Sequence, residues 1–120
     1  MLDISQIEFT LKKLTDSISQ IQLSMIVTPD GLILAYEGKV EDAENVAALC
    51  IELELVCDKI TSQLDGGKMR EMFIRSDTSS LTILPISNKG ILACLTTTDI
   101  NSRMMMHVTW KTVNQLDKMM

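Results

Sequence analysis

The chain is poor in the residues from which most catalytic and nucleic-acid sites are built. Aromatics make up only 3% of its 120 residues, with one Trp, one Tyr and two Phe, too few for stacking platforms along a single strand. Basic excess is missing too: 11 Lys and Arg stand against 16 Asp and Glu, a net charge of −5. That balance argues against nucleic acid and against anionic membranes, both of which reward basic patches. No apolar run approaches the length of a membrane span, so direct membrane insertion is not expected. The opening Met1-Leu2-Asp3-Ile4 has neither the basic nor the apolar stretch of a secretory signal. Cysteine is limited to Cys50, Cys57 and Cys94, an odd number at no metal-like spacing. On a helix, Cys50 and Cys57 lie about 10.5 Å apart along the axis, too far to bridge. Reduced thiols and a cytoplasmic setting are therefore expected. The single histidine, His107, leaves a Ser–His or Cys–His site with one possible base and no motif around it. Gly66-Gly67-Lys68 is too short for a phosphate loop and follows a helix instead of preceding one. No metal, no cofactor and no catalytic residue is indicated, and the chain does not read as an enzyme.

What the chain does have is ordinary globular material, 46% hydrophobic and 22% charged, enough for one domain over residues 1–120 with a real core. Nine methionines suit irregular cores or adaptable surfaces. Ile4, Ile7, Leu11, Leu14, Ile18 and Ile21 recur at steps of three and four, predicting a first helix over 2–19. Residues 22–28 and 32–37 read as strands joined through Pro29-Asp30-Gly31, each residue of which favours a turn for its own reason. A second helix follows over 41–64, with Glu41, Asp42 and Glu44 at its positive end and Gly66-Gly67 beyond its last turn. Strands are expected at 69–75, 80–86 and 91–97, with turns at Asp77-Thr78-Ser79 and Asn88-Lys89-Gly90. Leu81–Ile86 and Ile91–Leu95 do not alternate cleanly, the mark of strands covered on both faces. Pro85 belongs near a strand end. Asp99 is the expected N-cap of a last helix over 99–118, whose polar stripe is Arg103, His107, Lys111, Asn114 and Lys118.

The second helix is apolar on two sides. Val46, Leu49, Cys50, Leu53, Val56, Cys57, Ile60 and Leu64 share one face, which is assigned here to the core. Ala47, Ala48, Ile51 and Leu55 form a second patch framed by Glu44, Glu52 and Asp58. A helix that covers one side of one sheet needs a single apolar face. The second patch therefore points to self-association.

The element order, the hairpin Met25-Ile-Val-Thr-Pro-Asp-Gly-Leu-Ile-Leu-Ala35, Glu44-Asn-Val-Ala-Ala-Leu49, Leu81-Thr-Ile-Leu-Pro-Ile86 and Ile91-Leu-Ala-Cys-Leu95 resemble the roadblock, or dynein light-chain, family over essentially the whole chain. The sequence departs at Ile100-Asn101-Ser102, where many members carry Asn-Leu-Gly. The resemblance implies an α+β sandwich of order α-β-β-α-β-β-β-α. Its five-stranded antiparallel sheet would have the order 2-1-5-4-3, with one helix on one face and two on the other. It also implies a homodimer in which third strands pair edge to edge and second helices lie side by side. With the patch above, this puts Ala47, Ala48, Ile51, Leu55, Met72 and Ile74 at the dimer interface, and the same pairing would cover an exposed strand edge. Members bind small Ras-like GTPases, and one bacterial type stimulates GTP hydrolysis by a polarity GTPase. Others are adaptors in motors or membrane-associated complexes. The expectation is thus a non-enzymatic regulator or scaffold for a Ras-like GTPase, the alternative being a structural adaptor indifferent to nucleotide. The partner surface is expected around Glu44, Glu52, Asp58 and Lys59, charges that rim an apolar centre.

Overall fold

A computed structural model of the protein describes residues 2–120. The elements run α1 (Ile4–Ser17), β1 (Ile21–Val27), β2 (Ile33–Gly38), α2 (Ala43–Gln63), β3 (Met72–Arg75), β4 (Ser80–Pro85), β5 (Ile91–Thr96) and α3 (Ser102–Met119). The five strands form one sheet in the order β2-β1-β5-β4-β3, every neighbouring pair antiparallel. Fold class, element order and sheet order are those expected. Among the described residues, no helix is long and apolar enough to cross a membrane.

Two cores lie on opposite faces of the sheet. On one, Ile7, Leu11 and Leu14 of α1 and Met105, Val113 and Leu116 of α3 close over Ile26, Leu84, Leu92 and Cys94. On the other, Ala47, Cys50 and Ile51 of α2 close over Leu23, Met25, Val27, Ile83, Ile91 and Ala93. The central strands feed side chains to both faces, which is why their apolar residues run on without alternation. Pro85 ends β4 opposite Ile91, so the sheet loses little by its missing N–H. Gly90 has φ +136°, and a Cβ there would stand 2.2 Å from the Val27 carbonyl oxygen, so no other residue fits that turn.

Several boundaries differ from expectation for local reasons. The N-cap of α3 is Asn101, whose side chain accepts the Met104 N–H at 3.0 Å. Asp99 instead accepts a hydrogen bond from the Thr97 hydroxyl. Asn is as good a cap as Asp, and the nearer one to the apolar run takes the role. β3 starts at Met72, because residues 69–71 are drawn off the ladder. The Met69 N–H bonds the Asp58 carboxylate at 2.8 Å, the Arg70 guanidinium lies over the Trp110 ring, and Glu71 accepts the Trp110 indole N–H at 3.1 Å.

The main correction concerns α2. Ala47 and Ile51, expected at a face between subunits, are buried against the sheet, at 0% and 6% exposure. Leu49, Val56, Ile60 and Leu64, expected in the core, are exposed. The helix is turned because its small residues Ala43, Ala47 and Cys50 allow a closer approach to the pleated surface than the leucine stripe would. Bulky side chains are left facing away from the sheet.

Candidate interaction surface

Among the described residues, no group of three or more His, Cys, Asp or Glu is placed to hold a metal ion. Burial pushes the Cys50 thiol up to about 11 and that of Cys94 up to about 12, the latter despite a hydrogen bond with Ser24. Thiols so protonated are poor nucleophiles. His107 is exposed on α3. What the molecule offers at its surface is apolar area.

Three parts of that surface meet around α2. Its crest carries Leu49, Val56 and Ile60 at steps of seven and four, each keeping half or more of its surface exposed, with half-buried Leu53 beside them. This stripe continues to Leu64, 76% exposed past the end of the helix. The second part is uncovered sheet. α2 lies over β1 and β5, so Leu81, Leu95 and Met72 are only half-buried on the same side and Ile74 is exposed. The third is the outer edge of β3, which pairs with β4 on one side and, among the described residues, with nothing on the other. Unpaired strand edges recruit strands.

The other flank of α2 carries Ala48 and Leu55, both exposed, with Glu44, Glu52 and Lys59. It lies beside the β1–β2 hairpin tip, where Gly31 comes close enough that an added Cβ would contact the Ala48 backbone at 3.6 Å. Asp58 does not belong to this flank. It is half-buried, and its carboxylate ties down the Met69 N–H. Glu54, one turn before it, has its pKa raised by burial and then by the Asp58 charge, against a lowering effect from Lys68.

Of the residues singled out in the sequence, Ala48 and Leu55 are therefore grouped with Glu44, Glu52 and Lys59, and Met72 and Ile74 sit together on β3. Ala47, Ile51 and Asp58 serve the subunit's own packing. The stripe Leu49-Leu53-Val56-Ile60 was missed as a surface. The signal that could have revealed it is the small-residue series Ala43, Ala47, Cys50, which marks the arc able to sit closest to a sheet.

Comparison with known proteins bears on this arrangement. No curated protein matches the chain by sequence. Among solved structures, the Roadblock/LC7 domain from Streptomyces avermitilis is 19% identical and covers 91% of this chain and 92% of its own, with a TM-score of 0.84. Myxococcus xanthus MglB is 14% identical over 97% of this chain and 88% of its own, at a TM-score of 0.89. The gliding protein MglB from Thermus thermophilus is 10% identical over 97% and 89%, also at 0.89. At such identities the likeness speaks for the fold alone. The sequence itself carries the assignment: residues 7–96, from the first buried isoleucine of α1 to the end of β5, match the Roadblock/LC7 domain, and the chain belongs to that family.

Proposed function

We propose that the protein is a homodimeric, non-enzymatic regulator or scaffold that binds a small Ras-like GTPase through the α2 side of the dimer. One observation carries the first half. A stripe of large apolar side chains on α2, half-covered sheet beside it and a free β3 edge all lie on the same side of the subunit. A second copy offers the same three features and covers all of them at once, as a two-fold interface requires. In this arrangement β3 pairs with its counterpart, bringing Met72 and Ile74 into the joint, and the α2 crests pack through Leu49, Leu53, Val56 and Ile60. Family membership supports the reading, since the roadblock resemblance implies both the dimer and the GTPase.

The flank bearing Ala48, Leu55, Glu44, Glu52 and Lys59 remains open in such a dimer and is the surface for the GTPase. Its apolar centre and charged rim are ordinary interface anatomy. The acidic excess calls for a partner surface richer in Lys and Arg, and steering by exposed charge weakens with salt beyond about 10 Å at 0.1 M. No arginine finger is assigned. Arg70 is stacked on Trp110 and Arg75 lies over Phe73, which leaves Arg103 exposed on α3, across the sheet. Any stimulation of hydrolysis then comes from ordering the GTPase's own switch segments.

The test is capture from native lysate with the protein immobilised, the lysate being loaded with either GDP or a non-hydrolysable GTP analogue. A Ras-like GTPase retained in one nucleotide state, and lost with Glu52→Lys and Leu55→Asp, is the expected result. Retention equal in both states would favour a structural adaptor instead. If Arg103→Ala lowered stimulated hydrolysis by about 10³-fold with binding intact, the residue would be acting as a finger and the scaffold reading would fail.

A further inference from the structure

The sheet has a second open edge, at β2, far from α2's crest and from β3. Among the described residues, β2 pairs with β1 alone. The Lys39 N–H bonds the Gln22 carbonyl at 3.2 Å, and the register sets Ser24 opposite Glu37 and Met25 opposite Tyr36. Antiparallel pairs alternate between bonded and non-bonded. Counting back from Lys39, Glu37 faces β1, whereas the N–H and C=O of Tyr36 point away from it, into the groove.

Two grooves follow the strand. One, of about 530 Å³, lies on the α2 side and includes Ile33, Tyr36, Val40 and Ala43. The other, of about 590 Å³, runs along the open edge itself, from Glu8 of α1 past Leu34 and Glu37 to Glu44 of α2. Tyr36 is 59% exposed and lines both. Successive side chains of an added strand would lean alternately toward the α2 side and the α1 side of that edge. The charges around them are unequal: Glu8, Glu37, Asp42 and Glu44 against Lys39 alone.

We infer that the β2 edge is a docking site for an extended segment of a protein partner, rich in Lys or Arg, which adds to the sheet as a sixth strand. Backbone pairing to Tyr36 supplies sequence-independent affinity, and the carboxylates select basic side chains. The site lies at the opposite sheet edge from the self-association surface and shares with the GTPase flank Glu44, which every variant below leaves intact, so either reading can fail without the other.

Two capped peptides probe it, one alternating Lys and Val over six residues and one alternating Glu and Val. Amide exchange of the full chain reports where they bind. The Lys–Val peptide is expected to protect the Tyr36 amide, and the Glu–Val peptide to leave it exchanging freely. Combining Glu8→Lys with Glu37→Lys should weaken the Lys–Val peptide at least about tenfold. Tyr36→Pro removes the outward N–H without taking a bond from the β1 ladder, as edge positions allow. It should abolish binding, whereas Tyr36→Ala, which keeps the N–H, should retain protection at residue 36. The inference is overturned if neither peptide binds, if both bind equally, or if protection falls on Met72–Arg75 instead. It is also overturned if the Tyr36 amide is already protected without peptide and more so at higher protein concentration, since a second copy would then occupy the edge.

Discussion

Ile51 and Leu55 sit one helical turn apart on α2 and have opposite fates, the first buried in the core between α2 and the sheet and the second exposed. Ile51→Asp places an unpaired carboxylate in the α2 core and should lower folding stability by more than about 3 kcal/mol. Leu55→Asp should stay within about 0.5 kcal/mol of the parent. Urea unfolding of the two variants checks this, and equal midpoints would contradict the observed packing of α2. A second residue-scale test concerns Glu54. Its folded-state pKa is raised, chiefly by burial. The folded state therefore holds the proton more tightly than the unfolded state, and ionisation at neutral pH works against folding. Glu54→Gln should raise the melting temperature at about pH 7 and lose that advantage as pH falls through the raised pKa toward about pH 4. A variant whose advantage is the same at both pH values would contradict the assignment.

At the scale of elements, α3 depends on a cap that lies outside its apolar pattern. Asn101→Ala removes the acceptor for the Met104 N–H and should cost about 1 kcal/mol. Asp99→Ala, at the cap expected from sequence, should cost less. Thermal melts of both variants decide between them. Sequence reading fell short at the α2 face as well as at the α3 cap. Periodicity shows that a helix has apolar arcs but does not rank them, and α2 is apolar over most of its circumference. Which arc packs is set by how closely it can approach a partner, and here Ala47 and Cys50 outrank Leu49 and Leu53. β3 was read too long for a related reason: Met69, Arg70 and Glu71 are held by Asp58 and Trp110, partners distant in sequence. The rest was legible because each signal was local. The three- and four-residue steps through Ile7, Leu11 and Leu14 mark the buried stripe of α1, Gly31 takes φ +88° in the hairpin turn, and Leu81–Ile86 announces a strand buried on both faces.

Over the whole molecule, the sheet divides the labour. α1 and α3 close one face, while α2 alone leaves the β4–β3 side of the other incomplete. A subunit that stayed single would expose Leu49, Val56, Ile60 and Ile74 beside an unpaired strand edge, a combination soluble proteins rarely leave open. Of the α2 residues singled out from sequence, Ala48, Leu55, Glu44, Glu52 and Lys59 lie exposed on one flank, whereas Ala47 and Ile51, expected between subunits, are buried in the subunit's own core. Light scattering of the purified protein at micromolar concentration, beside Leu49→Asp, tests the resulting account most directly. The parent should have twice the 13.4 kDa chain mass, and Leu49→Asp should fall to the single-chain mass with its far-ultraviolet circular dichroism unchanged. A parent that scatters as one chain, or a Leu49→Asp protein that remains a dimer, would contradict it.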